Sequence, residues 1–343
     1  MEQQKRLIPY MKQYKDFTLG NIRWLPYVIF FNRPGYASSV LNTDSAGFRV
    51  SHGPVGPYSL QDAPPAGEVS VLLGGSTAFG FGASGDEHTL PSLLSQGPDG
   101  VSWLNLAAPA FNSTQEVVLF LLHRHQLPAV RDIVVFSGVN NLLVAGLPGA
   151  TADYGQFFFS GEFLRQMGVP EQEKPRWALG RLTEATRRMR RGKKPGDEPD
   201  APETLDLAER VEVAVRNTAR DLARLLELAA PTGARVHFVL QPTIAWTGKR
   251  LSPEEKALIE ENDREWRHMW DLSRPILDPS VHTTYVERLE TACKELGVGF
   301  LDANGALAAA PAADAWFFAD LVHLNDEGNR TVAEILKAEL NLA

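Results

Sequence analysis

The stretch VSVLLGGSTAFG, from Val69 to Gly80, decides the fold. It begins as a short apolar run and stops at Gly74 and Gly75, a pattern typical of a buried parallel strand. The turn after such a strand is where open α/β sheets bind ligands. The glycines let the backbone turn sharply, and a helix that starts after Ser76 would point free N–H groups at a bound anionic group. Ser76 is therefore a candidate nucleophile that needs a base and donors for an oxyanion.

Beyond this stretch, short apolar runs alternate with helical patterns. Four further strands are predicted, at 101–106, 133–136, 236–240 and 298–302. Helices are predicted over 205–229 and 283–296, after Asn325, and after Ser113, where Ser113 and Glu116 would form a capping box. Five strands separated by helices predict an α/β fold: a three-layer, flavodoxin-like, doubly wound parallel sheet.

Three segments fall outside this alternation. Residues 1–66 are predicted to be an N-terminal extension, an arm that covers the main domain of residues 67–343; a contribution to a substrate pocket is the alternative. Insertions are predicted at about 147–202 and 242–280. The first is long and irregular, which is typical of a lid or of disorder. Its basic run at 187–194 is interpreted as a solvated loop, with anion binding as the alternative.

An acid–base pair lies near the end of the chain, at Asp320 and His323. An Asp three residues before a His can hold the Nδ1 proton and leave Nε2 free to take a proton from a serine. The order Ser, Asp, His also occurs in α/β-hydrolases, but their G-x-S-x-G motif is absent here, because Ala78 follows Ser76 by two residues. Taken without Ser76, Asp320 and His323 could instead be a structural pair at a helix terminus.

Donors for an oxyanion are predicted at the ends of neighbouring strands. The side-chain amide of Asn140 follows the third strand, and the N–H groups of Ser76 and Ala110 follow the first and second. Each alone could be only a turn residue. Together they form one constellation with Asp320 and His323.

These residues resemble the SGNH hydrolases, also called the GDSL lipase/esterase superfamily. The similar blocks are GGSTAFG, NLAAPAFNS, GVNN and DLVHLNDEGN, in that order. Gly75 stands where the family often has Asp, Ala110 where it usually has Gly, and Asn141 where it usually has Asp. The resemblance covers about residues 68–343 and implies an SGNH hydrolase domain. It implies a Ser76–His323–Asp320 triad, with an oxyanion hole made by Ser76, Ala110 and Asn140.

The composition excludes several other classes. The net charge of −8 argues against a nucleic-acid-binding protein. A single cysteine, Cys293, excludes an internal disulfide framework. No apolar run approaches the ~20 residues of a membrane span, and a cytoplasmic location is predicted. Gly80 to Gly85 fits G-x-G-x-x-G but does not directly follow a strand, so no dinucleotide is predicted. No metal or other cofactor is predicted.

The leading hypothesis is a serine esterase that acts through an acyl-enzyme on a small-molecule or carbohydrate ester. The GGST serine block resembles that of family members that act on acylated carbohydrates or secondary metabolites. This resemblance implies a substrate with a short acyl group such as acetyl. An O-acyltransferase would use the same triad, with the aromatic insertion at 147–202 excluding water. A non-catalytic binding protein is the third hypothesis. The sequence leaves the oligomeric state open.

Overall fold

The structure is a computed structural model that describes residues 2–20, 23–97, 99–127, 129–147, 150, 157–166, 205–265, 273–310 and 314–342. Most of the predicted insertion at 147–202, including the basic run at 187–194, lies outside the described residues. So does the segment 266–272, which holds the Trp266 and Trp270 pair of the second predicted insertion.

A five-stranded parallel sheet forms the centre of the protein. Its strands are β5 (Val69–Gly74), β6 (Ser102–Ala107), β7 (Val130–Ser137), β8 (Arg235–Leu240) and β9 (Gly299–Asp302). Their order across the sheet is β6-β5-β7-β8-β9. The chain therefore reverses direction across the sheet at β5, which confirms the predicted flavodoxin-like, doubly wound fold.

Helices cover both faces of the sheet, because β5 and β7 are apolar on both sides. On one face lie α5 (Ser113–His123), α6 (Val139–Ala145), α8 (Leu207–Ala229) and α10 (Pro279–Leu296). On the other lie α4 (Leu90–Leu94), α11 (Ala303–Ala308) and α12 (Asp326–Glu339). The structure also has two short helices, α3 (Ser76–Phe79) and α7 (Ser160–Gln166), and the longer α9 (Pro253–Glu265).

Several side chains of the N-terminal extension pack into the core. The extension forms α1 (Glu2–Leu7), α2 (Met11–Gly20) and two hairpins, β1 (Arg23–Leu25) with β2 (Ile29–Phe31) and β3 (Ser51–Gly53) with β4 (Gly56–Tyr58). Tyr14 and Phe17 join the apolar cluster on one side of the sheet, and Phe30 and Phe48 join that on the other. The extension thus packs on both layers, while the boundary near residue 66 stays a prediction.

Two local predictions are wrong in detail. Helix α5 is capped by Asn112, whose side chain accepts from the Gln115 N–H while the Gln115 side chain accepts from the Asn112 N–H. Ser113 and Glu116 do not form the capping box. Strand β7 starts three residues earlier than predicted. Its charged residue Asp132 is buried and paired with Arg235 on the neighbouring strand, 2.7 Å away, so it belongs to the sheet.

The thiol of Cys293 is buried, and burial raises its pKa to about 12. Among the described residues, no helix is long and apolar enough to cross a membrane.

Candidate active site

Ser76 begins helix α3 directly after β5. Gly74 has φ 152°, and a β-carbon there would lie 2.2 Å from the Phe136 carbonyl oxygen, so only glycine allows this strand end to approach β7. In the sheet, Gly74 pairs with Ala107 on β6 and with Phe136 on β7. The register therefore brings Ser76, the segment after Ala107 and the start of α6 to one edge of the sheet.

His323 and Asp320 lie beside Ser76. The Nδ1 of His323 is 2.6 Å from Asp320 Oδ2, and its Nε2 is 2.8 Å from Ser76 Oγ. Because a carboxylate can only accept, Nδ1 carries the proton and Nε2 is free to accept one from the serine hydroxyl. The three predicted side chains thus form one continuous hydrogen-bonded relay.

The charge state of Asp320 follows from its surroundings. Burial alone would raise the pKa of this carboxyl, but the Coulombic interaction with His323 and the hydrogen bond from it lower that pKa. The N–H groups of Val322 and His323 both donate to Asp320 Oδ1 at 2.9 Å and lower it further. The net effect holds the pKa of Asp320 below its usual range, so the carboxylate is available to orient and stabilise an imidazolium.

The loop that carries this pair is fixed by residues that the sequence analysis missed. Phe318 and Leu324 form a β-bridge that closes the loop. At its base, Glu255 Oε1 accepts from the N–H groups of Phe317 and Phe318, while Glu255 Oε2 pairs with buried Lys249 at 2.5 Å. Glu255 lies in the second predicted insertion, in the run SPEE (252–255), which is typical of a helix cap, and only the fold brings it to the loop.

Three candidate oxyanion donors meet at the same edge. The Asn140 Nδ2 donates to the Phe111 carbonyl oxygen at 2.7 Å and keeps a second N–H, since an amide nitrogen carries two. Within the described residues, the N–H groups of Ser76 and Ala110 donate no backbone or side-chain hydrogen bond. The predicted donors are thus available to a ligand.

Ala110 adopts a left-handed conformation, with φ 65°. A β-carbon is unfavourable there, and glycine is the residue that this region favours. The left-handed backbone at this position therefore favours the glycine that the resemblance to SGNH hydrolases would place there.

A buried polar cluster holds α6 in place behind Asn140. Asn141 accepts from the Ser113 N–H at 3.0 Å and donates to the hydroxyls of Ser113 and Thr218 at 2.9 and 2.6 Å. The Ser113 hydroxyl also donates to Asp221 on α8 at 2.6 Å. Asn141 therefore joins α6 to both α5 and α8. The carboxylate in this cluster belongs to Asp221 of α8, and residue 141, directly after Asn140, supplies an amide.

The N-terminal extension lines a small pocket of about 20 Å³ next to the loop that carries Ala110. Phe17, Phe30 and Phe31 line it together with Pro109, the neighbour of Ala110, and with Phe159 of the first insertion. The predicted alternative, that the extension contributes to a substrate pocket, stays a prediction. In the part of the chain that the structure describes, no group of three His, Cys, Asp or Glu side chains is placed to hold a metal ion.

No sequence profile of a known family matches the chain. No curated protein matches it either.

Among solved structures, similar chains include a lipolytic protein of the G-D-S-L family from Veillonella parvula, with 14% identity and a TM-score of 0.42 over 80% of this chain and 99% of that one. A GDSL-like lipase from Bacteroides thetaiotaomicron has 15% identity and a TM-score of 0.40, with 79% and 87% covered. A carbohydrate acetylesterase family member from Sinorhizobium meliloti has 15% identity and a TM-score of 0.38 over 80% of this chain and 98% of that one.

Two of these three proteins are described as G-D-S-L proteins, the family that the four sequence blocks resemble. Because the TM-scores are below 0.5, what the chain does has to be inferred from its own side chains.

Proposed function

We propose that this protein is a serine esterase of the SGNH hydrolase type, with Ser76 as nucleophile, His323 as base and Asp320 as the residue that orients the base. The single observation that carries the proposal is the relay from Asp320 Oδ2 through His323 to Ser76 Oγ, with contacts of 2.6 and 2.8 Å. Both contacts are within hydrogen-bonding distance, which proton transfer from the serine requires.

The reaction would proceed in two halves. His323 Nε2 takes the Ser76 proton while Oγ attacks the ester carbonyl carbon, and the carbonyl oxygen becomes an oxyanion. The N–H groups of Ser76 and Ala110 and the Asn140 amide would donate to that oxyanion. His323 then protonates the departing alcohol oxygen as the carbon–oxygen bond breaks. A water molecule, deprotonated by His323, attacks the acyl-enzyme, and Ser76 leaves with the proton restored.

Water is the proposed acceptor of the acyl group. Transfer to an alcohol instead would require exclusion of water, and the insertion that could do this lies mostly outside the described residues. The proposed substrate is an ester with a short acyl group, such as acetyl, on a carbohydrate or secondary metabolite. The resemblance of the GGST serine block supports this choice.

Labelling with a fluorophosphonate probe tests the chemistry directly. We expect a covalent adduct on Ser76, identified by mass spectrometry of the digested protein, and loss of the adduct in Ser76→Ala. Hydrolysis of an aryl acetate by Ser76→Ala should fall by on the order of 10⁶ in kcat. Retention of more than about a tenth of wild-type turnover, far above that expectation, would rule out Ser76 as the nucleophile.

The same assay tests substrate and metal. Aryl esters of increasing acyl length should show the highest kcat/KM for acetate, and an acetylated sugar should be hydrolysed faster in the presence of the wild-type protein than of Ser76→Ala. Activity should survive EDTA. Loss on chelation with recovery on adding a divalent ion would contradict the proposed mechanism.

A further inference from the structure

Helix α3, which begins with Ser76, has one turn and little stability of its own. A single helical turn is unfavourable in isolation, because several backbone angles are fixed for very few hydrogen bonds. Its last carbonyl groups also lack partners inside the helix. The position of Ser76 Oγ relative to His323 therefore depends on the contacts that other parts of the molecule make with the end of α3.

The end of α3 is held by a buried arginine from the N-terminal extension. Arg49 is 0% exposed. One of its terminal nitrogens, Nη1, donates to the carbonyl oxygens of Phe79 and Gly80 at 3.1 and 2.8 Å. Its guanidinium also lies over the Phe79 ring, 5.2 Å from the ring centre. A positive charge at these carbonyls is favourable because the C-terminal end of a helix carries partial negative charge.

The remaining donors of Arg49 are also used. Nε pairs with Asp86 at 2.8 Å, and Nη2 donates to the Tyr14 hydroxyl and the Val40 carbonyl oxygen at 3.0 and 3.1 Å. With the bonds to Phe79 and Gly80, this accounts for all five N–H groups that an arginine side chain has. A lysine has three donors on one atom and cannot reach these groups at the same time.

Tyr14 adds a second contact from the extension. Its hydroxyl lies 2.9 Å from the Gly80 carbonyl oxygen and 2.7 Å from that of Ala83. Gly80 itself has φ 92°, and a β-carbon there would lie 2.6 Å from Thr89 Cγ2 and 3.0 Å from Arg49 Nη1. The turn after α3 therefore packs closely against Thr89 as well as against the arginine and tyrosine side chains.

A contribution to stability does not by itself explain why a charged side chain, Arg49, is buried here with Asp86. A buried ion pair is often no more stabilising than apolar residues of similar volume. What apolar residues could not do is hold two carbonyl groups at the end of a particular turn. We propose that Arg49 is a positioning residue for Ser76: by fixing the end of α3, it keeps Ser76 Oγ within reach of His323 Nε2. This rests on the proposed role of Ser76 as nucleophile.

The test compares Arg49→Lys with Arg235→Lys. Arg235 likewise pairs with a buried aspartate, Asp132, through two bonds, but its side chain is half exposed and lies at the amino-terminal end of the sheet, away from the site. For each variant, thermal midpoint, kcat and KM for an aryl acetate, and the second-order rate of fluorophosphonate labelling are measured at a temperature where both are folded.

We expect Arg49→Lys to label at least about tenfold more slowly than wild type, with a parallel fall in kcat and a nearly unchanged KM, because a small displacement of a reacting group can cost up to 10² in rate. Arg235→Lys should lower the thermal midpoint and leave the labelling rate of the folded protein unchanged. A folded Arg49→Lys that labels within about threefold of wild type, well short of that displacement effect, would overturn the proposal.

A milder variant covers the case in which Arg49→Lys does not fold. Tyr14→Phe keeps the ring and removes only the hydroxyl contacts to Gly80, Ala83 and Arg49. We expect slower labelling by this folded variant as well; labelling at the wild-type rate would overturn the proposal. A wild-type protein that forms no adduct on Ser76 would instead overturn the proposed function, and this role for Arg49 with it.

Discussion

The amide nitrogen of Asn140 occupies the space that a β-carbon on Gly75 would need: the two positions are 2.6 Å apart. Real β-carbons do not approach another atom so closely, so a side chain at residue 75 and the present position of Asn140 are mutually exclusive. The glycine at residue 75 is therefore linked to the placement of a proposed oxyanion donor.

Gly75→Ala should lower kcat. Gly75 has φ −85°, which alanine adopts without strain, so the substitution acts only through displacement of Asn140. Losing one oxyanion donor costs about 2.7–4 kcal/mol, or about 10²–10³ in rate, and this is the largest fall expected. The measurement is kcat for an aryl acetate. Gly305→Ala is the control, because a β-carbon there meets only Asp302, at an ordinary 3.5 Å. Equal kcat for the two variants would contradict the link.

Asn140→Ala and Asn141→Ala should separate chemistry from stability. Asn140→Ala is expected to lower kcat by about 10²–10³ with little change in KM, because the donor acts mainly on the charged transition state. Asn141→Ala should lower the free energy of unfolding by about 1–3 kcal/mol, since the buried Ser113 N–H loses its acceptor and the hydroxyls of Ser113 and Thr218 lose the hydrogen bonds from Asn141. Measuring kcat, KM and urea unfolding for both variants distinguishes a catalytic role from a structural one. If both lose only stability, Asn140 is a structural residue.

Glu116 should make stability fall as pH rises. Its carboxyl is buried beside the Ser137 hydroxyl, and burial raises its pKa to about 8, with a hydrogen bond from Ser137 opposing the shift and the charge of Asp221 adding to it. The folded protein thus keeps a proton that the unfolded chain loses above its usual pKa of about 4.3. The stabilisation is complete below that pH and is lost as pH rises towards 8.

Glu116→Gln removes this titration. Urea midpoints measured from acid to mildly alkaline pH should fall for wild type by an amount worth up to a few kcal/mol and should stay flatter for the variant. Parallel curves for the two proteins would show that the carboxyl titrates normally in the folded state.

Ala110→Gly should raise stability and leave kcat unchanged. Alanine is strained at φ 65°, by roughly 1 kcal/mol, and glycine removes the strain while keeping the N–H. Ala309→Gly is the matched control: Ala309 has φ −84°, so glycine there should only destabilise. A lower thermal midpoint for Ala110→Gly than for wild type would contradict the assigned strain.

The sequence predicts the sheet and the Ser76, Asp320 and His323 constellation because each rests on a local pattern. An apolar run that ends on glycines marks a strand end, and an Asp three residues before a His forms a pair within one turn. The cap of α5 is one residue off because Asn112 and Ser113 are both good capping residues.

The residues that hold the site could not be predicted in the same way. Arg49 lies 31 residues from Gly80, and Glu255 lies 62 residues from Phe317. Arg49 is a lone charged residue, for which a solvated position is the usual expectation. Glu255 belongs to the run SPEE at 252–255, which predicts a helix cap but no contact with the loop at Phe317. Only the fold shows that they are buried and to which backbone groups they are bonded.

The hydrogen bond between Ser76 and His323 joins residues 247 positions apart. Helix α12 is bound to the early part of the chain in the same way, since Lys337 donates to the Leu93 carbonyl oxygen and Asp326 accepts from Ser84. Contacts of such sequence separation form late, because the entropy of closing the long loop is lost before the contact contributes. The nascent chain is therefore expected to stay inactive until helix α12 has left the ribosome, and during refolding the proposed esterase activity should return after the helical signal.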